Sequence, residues 1–507
     1  MIELNGYHLN LFDFYQITQG KTKVKLGKDA IVKITNSRSS IQNLIESKKI
    51  AYGINTGFGK LSEKTISTED LQTLQVNLLK SHACGVGPHL DIPTVRGIMA
   101  LRSNALAKGY SGIRLELVEK IIEFLNNDLI PAVPEKGSLG ASGDLAPLSH
   151  MALPLLGLGE VYYQGKLMPA EEALKLAGIQ PLSHLEAKEG LSLINGTQVM
   201  TAIGAMVLYD AINLAKMADI AGGVSLEALR GIIDAFDERI HFVRGQLGQQ
   251  LSAANIRRLT NNSKLITHQG EIRVQDAYSL RCMAQVHGAT KDALEYAMKI
   301  VELEMNAATD NPLILNNDEI ISGGNFHGQP LALVFDFLKI AIAELASISE
   351  RRIERLVNPT LNEGLPPFLA AHPGLNSGFM IVQYVAASLV SENKILAHPA
   401  VVDSIPSSAN QEDHVSMGSI SALTARQILK NTQKVLAMEL MTACQAVDFR
   451  NPDGLGAGSK TAYQTVRKYL PYLKEDEIMY PLINRATELV ENKTIVDEVE
   501  KAIGQLL

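Results

Sequence analysis

Residues 137–148 read Gly137-Ser138-Leu139-Gly140-Ala141-Ser142-Gly143-Asp144-Leu145-Ala146-Pro147-Leu148, and this stretch decides how the rest of the chain is read. Its centre, Ala141-Ser142-Gly143, is a peptide able to build its own electrophile. Gly143 has no Cβ, so its nitrogen can approach the Ala141 carbonyl carbon in a turn closed to most residues. Bond formation there expels the Ala141 oxygen as water, and Ser142 gives up its α-proton and hydroxyl as a second water. A five-membered ring with an exocyclic methylene remains, an electrophile that no ordinary side chain supplies. The competing reading is a glycine-rich loop capping a helix that starts near Asp144, a favoured N-cap residue type. Ala-Ser-Gly is a common tripeptide, so the rest of the chain must decide.

Working outward, the pattern is mainly α. Leu117, Ile121 and Leu125 recur every four residues, and Leu338, Ile342 and Leu345 share a helical face, with Glu350, Arg351, Glu354 and Arg355 placed on its solvated side. Val199 to Ile220 is apolar nearly all round, its charges limited to Asp210, Lys216 and Asp219, as befits the middle of a bundle. A further long helix is predicted from about Asp413 to Phe449, and a terminal amphipathic one over Asn492 to Leu507. The first 50 residues look mixed, with a β-like run at Ala30-Ile31-Val32-Lys33-Ile34 and an amphipathic segment over Ser39–Ser47. No linker or internal repeat divides the chain. The expected organisation is a smaller N-terminal portion, residues 1–190, carrying the Ala-Ser-Gly loop, and a long-helix bundle over 191–507.

Polar islands interrupt this pattern at predicted loops and helix starts. They are Tyr52–Gly59, Ser81–Gly87, Ile194–Gln198, Gln275–Cys282, Gly323–His327 and Asn410–Met417. Helix N-termini carry free N–H groups and partial positive charge, so several converging would stabilise an anion. Taken singly, each residue has an ordinary explanation. Tyr52, Tyr278 and Phe326 could be core filler, Arg281 a surface ion pair, Asn195 and Asn410 helix caps, and Glu412 a first-turn carboxylate complementing a dipole.

Composition excludes several classes. Lys plus Arg is 47 against 54 Asp plus Glu, a net charge of −7 with no basic run, which argues against a nucleic-acid partner. No apolar stretch reaches about 18 residues, and the first residues lack a basic or apolar leader, so no membrane association and a cytoplasmic location are expected. Three well-separated cysteines, Cys84, Cys282 and Cys444, suit free thiols in a reducing compartment. The 12 histidines show no His-Glu-x-x-His or Cys-x-x-Cys spacing, so no metal is expected. A serine-hydrolase elbow needs glycine where Asp144 stands, and no β-branched run precedes it. A phosphate loop at Gly53–Lys60 is one residue too long and continues with Leu61.

Together, and in order from Tyr52 to Met417, the islands resemble the aromatic amino acid lyases, most closely those members specific for histidine. The resemblance implies a fumarase-like, mainly α fold with a long central helical bundle, assembled as a homotetramer with shared active sites. It also implies a 4-methylidene-imidazol-5-one group made from Ala141, Ser142 and Gly143, with no metal and no dissociable cofactor. The implied activity is ammonia elimination from L-histidine to trans-urocanate; a tyrosine or phenylalanine ammonia-lyase or an aminomutase is the alternative. Residue by residue, Tyr52 and Tyr278 match the candidate bases, Arg281 a carboxylate clamp, and Gln275 a polar lining residue. Asn195 and Phe326 match residues that position ring and substrate, and His82 with Glu412 match the pair that would hold an imidazole. Asp144 matches a residue of ring maturation. Whether substrate amine or imidazole meets the methylene stays open.

Overall fold

Why residues 28–46 fold as they do shows how tertiary burial overrides local preference. The β-like run Ala30–Ile34 lies inside a helix, Lys28–Glu46, not a strand. Ala30, Ile34, Arg38 and Ile41 are buried at helical spacing, while Val32 faces out. Burying that stripe outweighs the few tenths of a kcal/mol by which β-branched residues disfavour a helix. The computed structural model describes residues 1–47, 49–315 and 319–507, which form two compact units.

The first unit takes Met1–Tyr209, Met298–Asp336 and Pro399–Leu423, so residues 1–190 fall wholly inside it, together with pieces from much later in the chain. The Leu115–Asn126 helix buries Leu117, Ile121 and Leu125 as their spacing predicts. At the core is the Ile92–Ala107 helix, buried continuously from Thr94 to Ala107 and capped by the Asp91 side chain, which accepts the Thr94 N–H at 2.8 Å. Small sheets decorate this unit. Ile2–Leu4 pairs in parallel with Val24–Leu26, and Val86–His89 runs antiparallel to Pro134–Lys136. A three-stranded antiparallel sheet joins Ile130–Pro131, Glu160–Tyr163 and Lys166–Pro169. The sequence pattern did not announce that sheet. Although no β-branched run precedes the Gly137–Leu148 stretch, a short strand, Pro134–Lys136, does.

The second unit comprises Asp210–Ala297, Phe337–His398 and Thr424–Leu507, and its described elements are helical. Leu338, Ile342 and Leu345 are fully buried, as expected. Glu350 is not on the solvated side: it is buried and accepts a hydrogen bond from Gln383 Nε2 at 2.6 Å. The charges in the apolar Val199–Ile220 run are all partnered. Asp210 faces Lys493 at 4.0 Å, Lys216 pairs with Glu500 at 2.8 Å, and Asp219 receives His287, Lys291 and Asn255. Burial alone would raise Asp219, but Lys291 and His287 more than offset it and hold its carboxyl at about 2.

One helix limit differs from expectation. The helix predicted from Asp413 begins at Gly418, because Ser408, Ala409, Asn410 and Met417 all adopt positive φ. The terminal amphipathic helix expected over Asn492–Leu507 is present as Thr494–Ile503, starting after Lys493, which takes φ +62° and separates it from the preceding Met479–Glu491 helix. The Gln198–Ala228 helix is long and apolar enough to cross a membrane by composition, yet 72% of its most apolar window is buried within the protein.

Candidate active site

Asp144 precedes the Leu145–Ala152 helix, yet its side chain does not cap it as the competing reading of the loop would have it. One carboxylate oxygen accepts the N–H groups of Val199 (3.0 Å) and Met200 (2.9 Å), at the start of the Gln198–Ala228 helix. The other accepts the hydroxyls of Ser138 (2.8 Å) and Ser419, the latter in the first turn of the Gly418–Asp448 helix. One buried carboxylate thus ties the N-terminus of the Gln198–Ala228 helix, through two backbone N–H groups, to the first turn of the Gly418–Asp448 helix, through a serine hydroxyl. Burial pushes the Asp144 carboxyl up, against the pull of these four hydrogen bonds.

Around this hub the Ala141-Ser142-Gly143 loop is tightly held. Gly143 sits at φ +73°, and a Cβ there would fall 2.2 Å from Gly196 O. Only glycine fits both the left-handed backbone and the contact. The Asp144 N–H donates to that same Gly196 carbonyl at 2.7 Å, and Asn195 Nδ2 donates to Ser142 O at 2.8 Å. On the other flank, Ser416 Oγ donates to Gly140 O (3.0 Å) and Met417 N–H to Leu139 O (2.9 Å). A loop pinned at the carbonyls on either side of the one to be attacked suits ring closure at Ala141, so these residues fit a self-made cyclic electrophile.

Ser142 opens onto a cavity of about 1110 Å³ lined also by Tyr52, His82, Asn195, Phe326 and Glu412. Six of the residues singled out in sequence therefore meet at one place. Ser142 Oγ donates to Glu412 Oε1 at 2.7 Å, and Ser407 Oγ donates to the other Glu412 oxygen at 2.8 Å. Burial lowers the His82 imidazole below its ordinary 6.5, leaving the ring neutral near pH 7, with Ser81 Oγ 3.0 Å from Nδ1. Burial holds the Tyr52 phenol above its ordinary value; the Gly59 N–H donated to its oxygen at 3.3 Å pulls the other way, and the Glu412 charge adds to the rise. Chemically the cavity offers a neutral imidazole, a carboxylate and a protonated phenol around the Ser142 side chain.

Tyr278, Arg281 and Gln275 are not brought to this cavity. They belong to the second unit, where Tyr278 is 70% exposed and the Arg281 guanidinium lies 4.6 Å above its ring. Arg281 Nε donates to Asp276 O at 2.8 Å. Conversely, sequence reasoning passed over Ser138, Gly196, Ser416, Ser419 and Arg102. Gly196 and Ser416 stand inside quoted islands and could have been found from them. Arg102 lies mid-helix with no such signal.

The comparisons with known proteins agree with this geometry. The aromatic amino acid lyase family profile matches residues 9–468. A histidine ammonia-lyase of Alkaliphilus metalliredigens is 58% identical, covering 100% of this chain and 99% of that protein. One of Bacillus subtilis is 52% identical over 98% of both chains. Among solved structures, a tyrosine aminomutase from Streptomyces globisporus superposes with a TM-score of 0.96 at 37% identity, covering all of both chains. The histidine ammonia-lyase of Trypanosoma cruzi gives 0.92 at 41%, covering 99% of this chain and 95% of that one. With profile, relatives and a pinned Ala-Ser-Gly loop in accord, this chain belongs to the aromatic amino acid lyase family.

Proposed function

We propose that the chain is a carbon–nitrogen lyase that eliminates ammonia from L-histidine, giving trans-urocanate, with a 4-methylidene-imidazol-5-one group formed from Ala141, Ser142 and Gly143. The observation that carries this reading is the shared cavity: Ser142 Oγ and the Glu412 carboxylate are 2.7 Å apart, with His82 on the same wall. When formed, the ring supplies an electrophile that makes β-proton loss and ammonia departure feasible. The chain's own residues do the rest. His82, neutral, and Glu412, a carboxylate, together offer an imidazole substrate a donor–acceptor arrangement that a phenyl ring cannot satisfy. A cavity-lining carboxylate left without a donor disfavours an apolar substrate, which supports histidine over phenylalanine or tyrosine. Asn195, tied to Ser142 O, orients the loop and substrate, and Phe326 lines the same cavity.

Tyr52, which lines the cavity, and Tyr278 are the two candidate bases for the β-proton, with Arg281 holding the substrate carboxylate and Gln275 beside them. Tyr278, Arg281 and Gln275 reach the cavity of a neighbouring subunit in a homotetramer, a reading supported by the 70% exposure of Tyr278. The three free cysteines support a cytoplasmic setting, and no metal is assigned a role.

Purified protein incubated separately with histidine, phenylalanine and tyrosine should release a conjugated acrylate from histidine. Its intact mass should be short by two waters, and Ser142→Ala should abolish both product and mass loss. Turnover of tyrosine or phenylalanine in preference to histidine would establish the alternative specificity; an undiminished mass would overturn the catalytic reading itself.

A further inference from the structure

Arg102 is a fully buried side chain with no part in the reaction just described. Its guanidinium is spread over four acceptors. Nε and Nη2 both donate to Ser192 O, and Nη1 donates to Asn195 O (3.2 Å), Gln198 Oε1 (2.8 Å) and Thr309 O (3.3 Å). Ser192 and Asn195 close the Glu189–Ile194 helix, and Gln198 opens the next one. The peptide between them is Gly196, the one that Gly143 abuts. A Cβ on Gly196 would lie 2.3 Å from Arg102 Nη1, just as a Cβ on Gly143 would lie 2.2 Å from Gly196 O. The guanidinium therefore packs on Gly196 and Gly196 on Gly143, each closely enough that neither glycine has room for a side chain. The same packing fixes Asn195, whose carbonyl Arg102 holds and whose side chain holds Ser142 O.

We propose that Arg102 is a positioning residue for ring closure: its planar fork backs the Gly196 peptide so that Gly143 is kept pressed into the left-handed turn from which its nitrogen reaches the Ala141 carbonyl. This rests on the self-cyclising reading above and extends it to a residue that touches neither substrate nor ring. Burying an arginine is costly unless its donors are well met, and here backbone carbonyls meet most of them, a task for which a fork is suited and an ammonium is not. Burial lowers it to about 10, so it is still a cation at neutral pH.

The test is to compare Arg102→Lys with Arg96→Lys. Arg96 is on the same Ile92–Ala107 helix, is buried too, and donates to Ile17 O and Leu125 O, away from the loop. Freshly synthesised folded protein would be followed by intact mass and by the ultraviolet chromophore, with thermal stability measured in parallel. Arg102→Lys should lose its two waters about tenfold more slowly, or more, than an Arg96→Lys protein of comparable stability. Gln198→Met removes one acceptor and leaves the guanidinium in place; it should slow dehydration by about threefold and serves if the lysine variant does not fold. Equal dehydration of the Arg102→Lys and Arg96→Lys proteins, or an unslowed Gln198→Met, overturns this proposal alone. Wild-type protein that keeps both waters overturns the reading on which it rests.

Discussion

Replacing Gly143 with alanine isolates conformation from chemistry, because the substituted residue keeps the attacking nitrogen. The structure imposes two costs on it. A non-glycine residue at φ +73° gives up about 1–2 kcal/mol. The new Cβ would also stand 2.2, 2.5 and 2.7 Å from O, C and N of Gly196, which are backbone atoms and cannot rotate away. Forcing a methyl into so closed a site costs roughly another 1–3 kcal/mol. Applied to the closure-ready loop, the sum of about 2–5 kcal/mol slows ring formation roughly 30-fold to several-thousand-fold. Gly165 is the matching control: φ is +76°, in a hairpin turn, but nothing lies within 4 Å of a Cβ. Gly165→Ala should lose about 1–2 kcal/mol of stability and dehydrate normally. The assay is intact mass against time after synthesis, with denaturant unfolding on the same samples. A Gly143→Ala protein that sheds both waters at the wild-type rate would show that the turn is not what drives closure.

Three further outcomes are expected. Glu412→Gln and His82→Leu should each reduce histidine kcat/KM by about 10- to 150-fold through a lost polar contact while leaving the mass deficit intact, and unchanged kinetics would remove the substrate assignment. Asp144→Asn keeps an acceptor for Val199 and Met200, whereas Asp144→Ala strands both N–H groups at about 1–3 kcal/mol each; only the alanine protein should accumulate uncyclised chain, as mass spectrometry would show. Burial raises Asp210 to about 6, so its contribution favours the fold below about pH 4 and is lost as pH rises through about 6. Asp210→Asn should therefore stabilise the protein above pH 7 by about 1–3 kcal/mol and do little below pH 4, and denaturation showing equal shifts at both pH values would contradict this.

What the sequence disclosed, and what it withheld, reflects the range of the forces involved. Ser142, Tyr52, His82, Asn195, Phe326 and Glu412 look ordinary one by one and were legible because the islands that carry them resemble one family in order, and the structure gathers them at one cavity. The long helices were legible because apolar spacing is a local property. Asp144 was picked out by resemblance, but its partners were not legible, because Val199, Met200 and Ser419 lie far along the chain. Glu350 was misjudged because a charge on a helix looks solvated until Gln383 arrives from another helix to meet it. Arg102 gave no signal at all, since its acceptors are mostly main-chain carbonyls that any sequence would provide. Tyr278, Arg281 and Gln275 were recognised by type, yet order along a chain carries no information about which body a residue will serve.

The latch on the Gly137–Leu148 segment also bears on biosynthesis. Ser416, Met417 and Ser419 are among the residues that fasten it, and Ser419 meets Asp144 from 275 positions further along the chain. A nascent polypeptide on the ribosome has none of these fastenings until more than four-fifths of its length has been translated. On the proposed function, copies that end before Ser416 lack these fastenings, which would confine the reactive alkene to chains that have folded past that point.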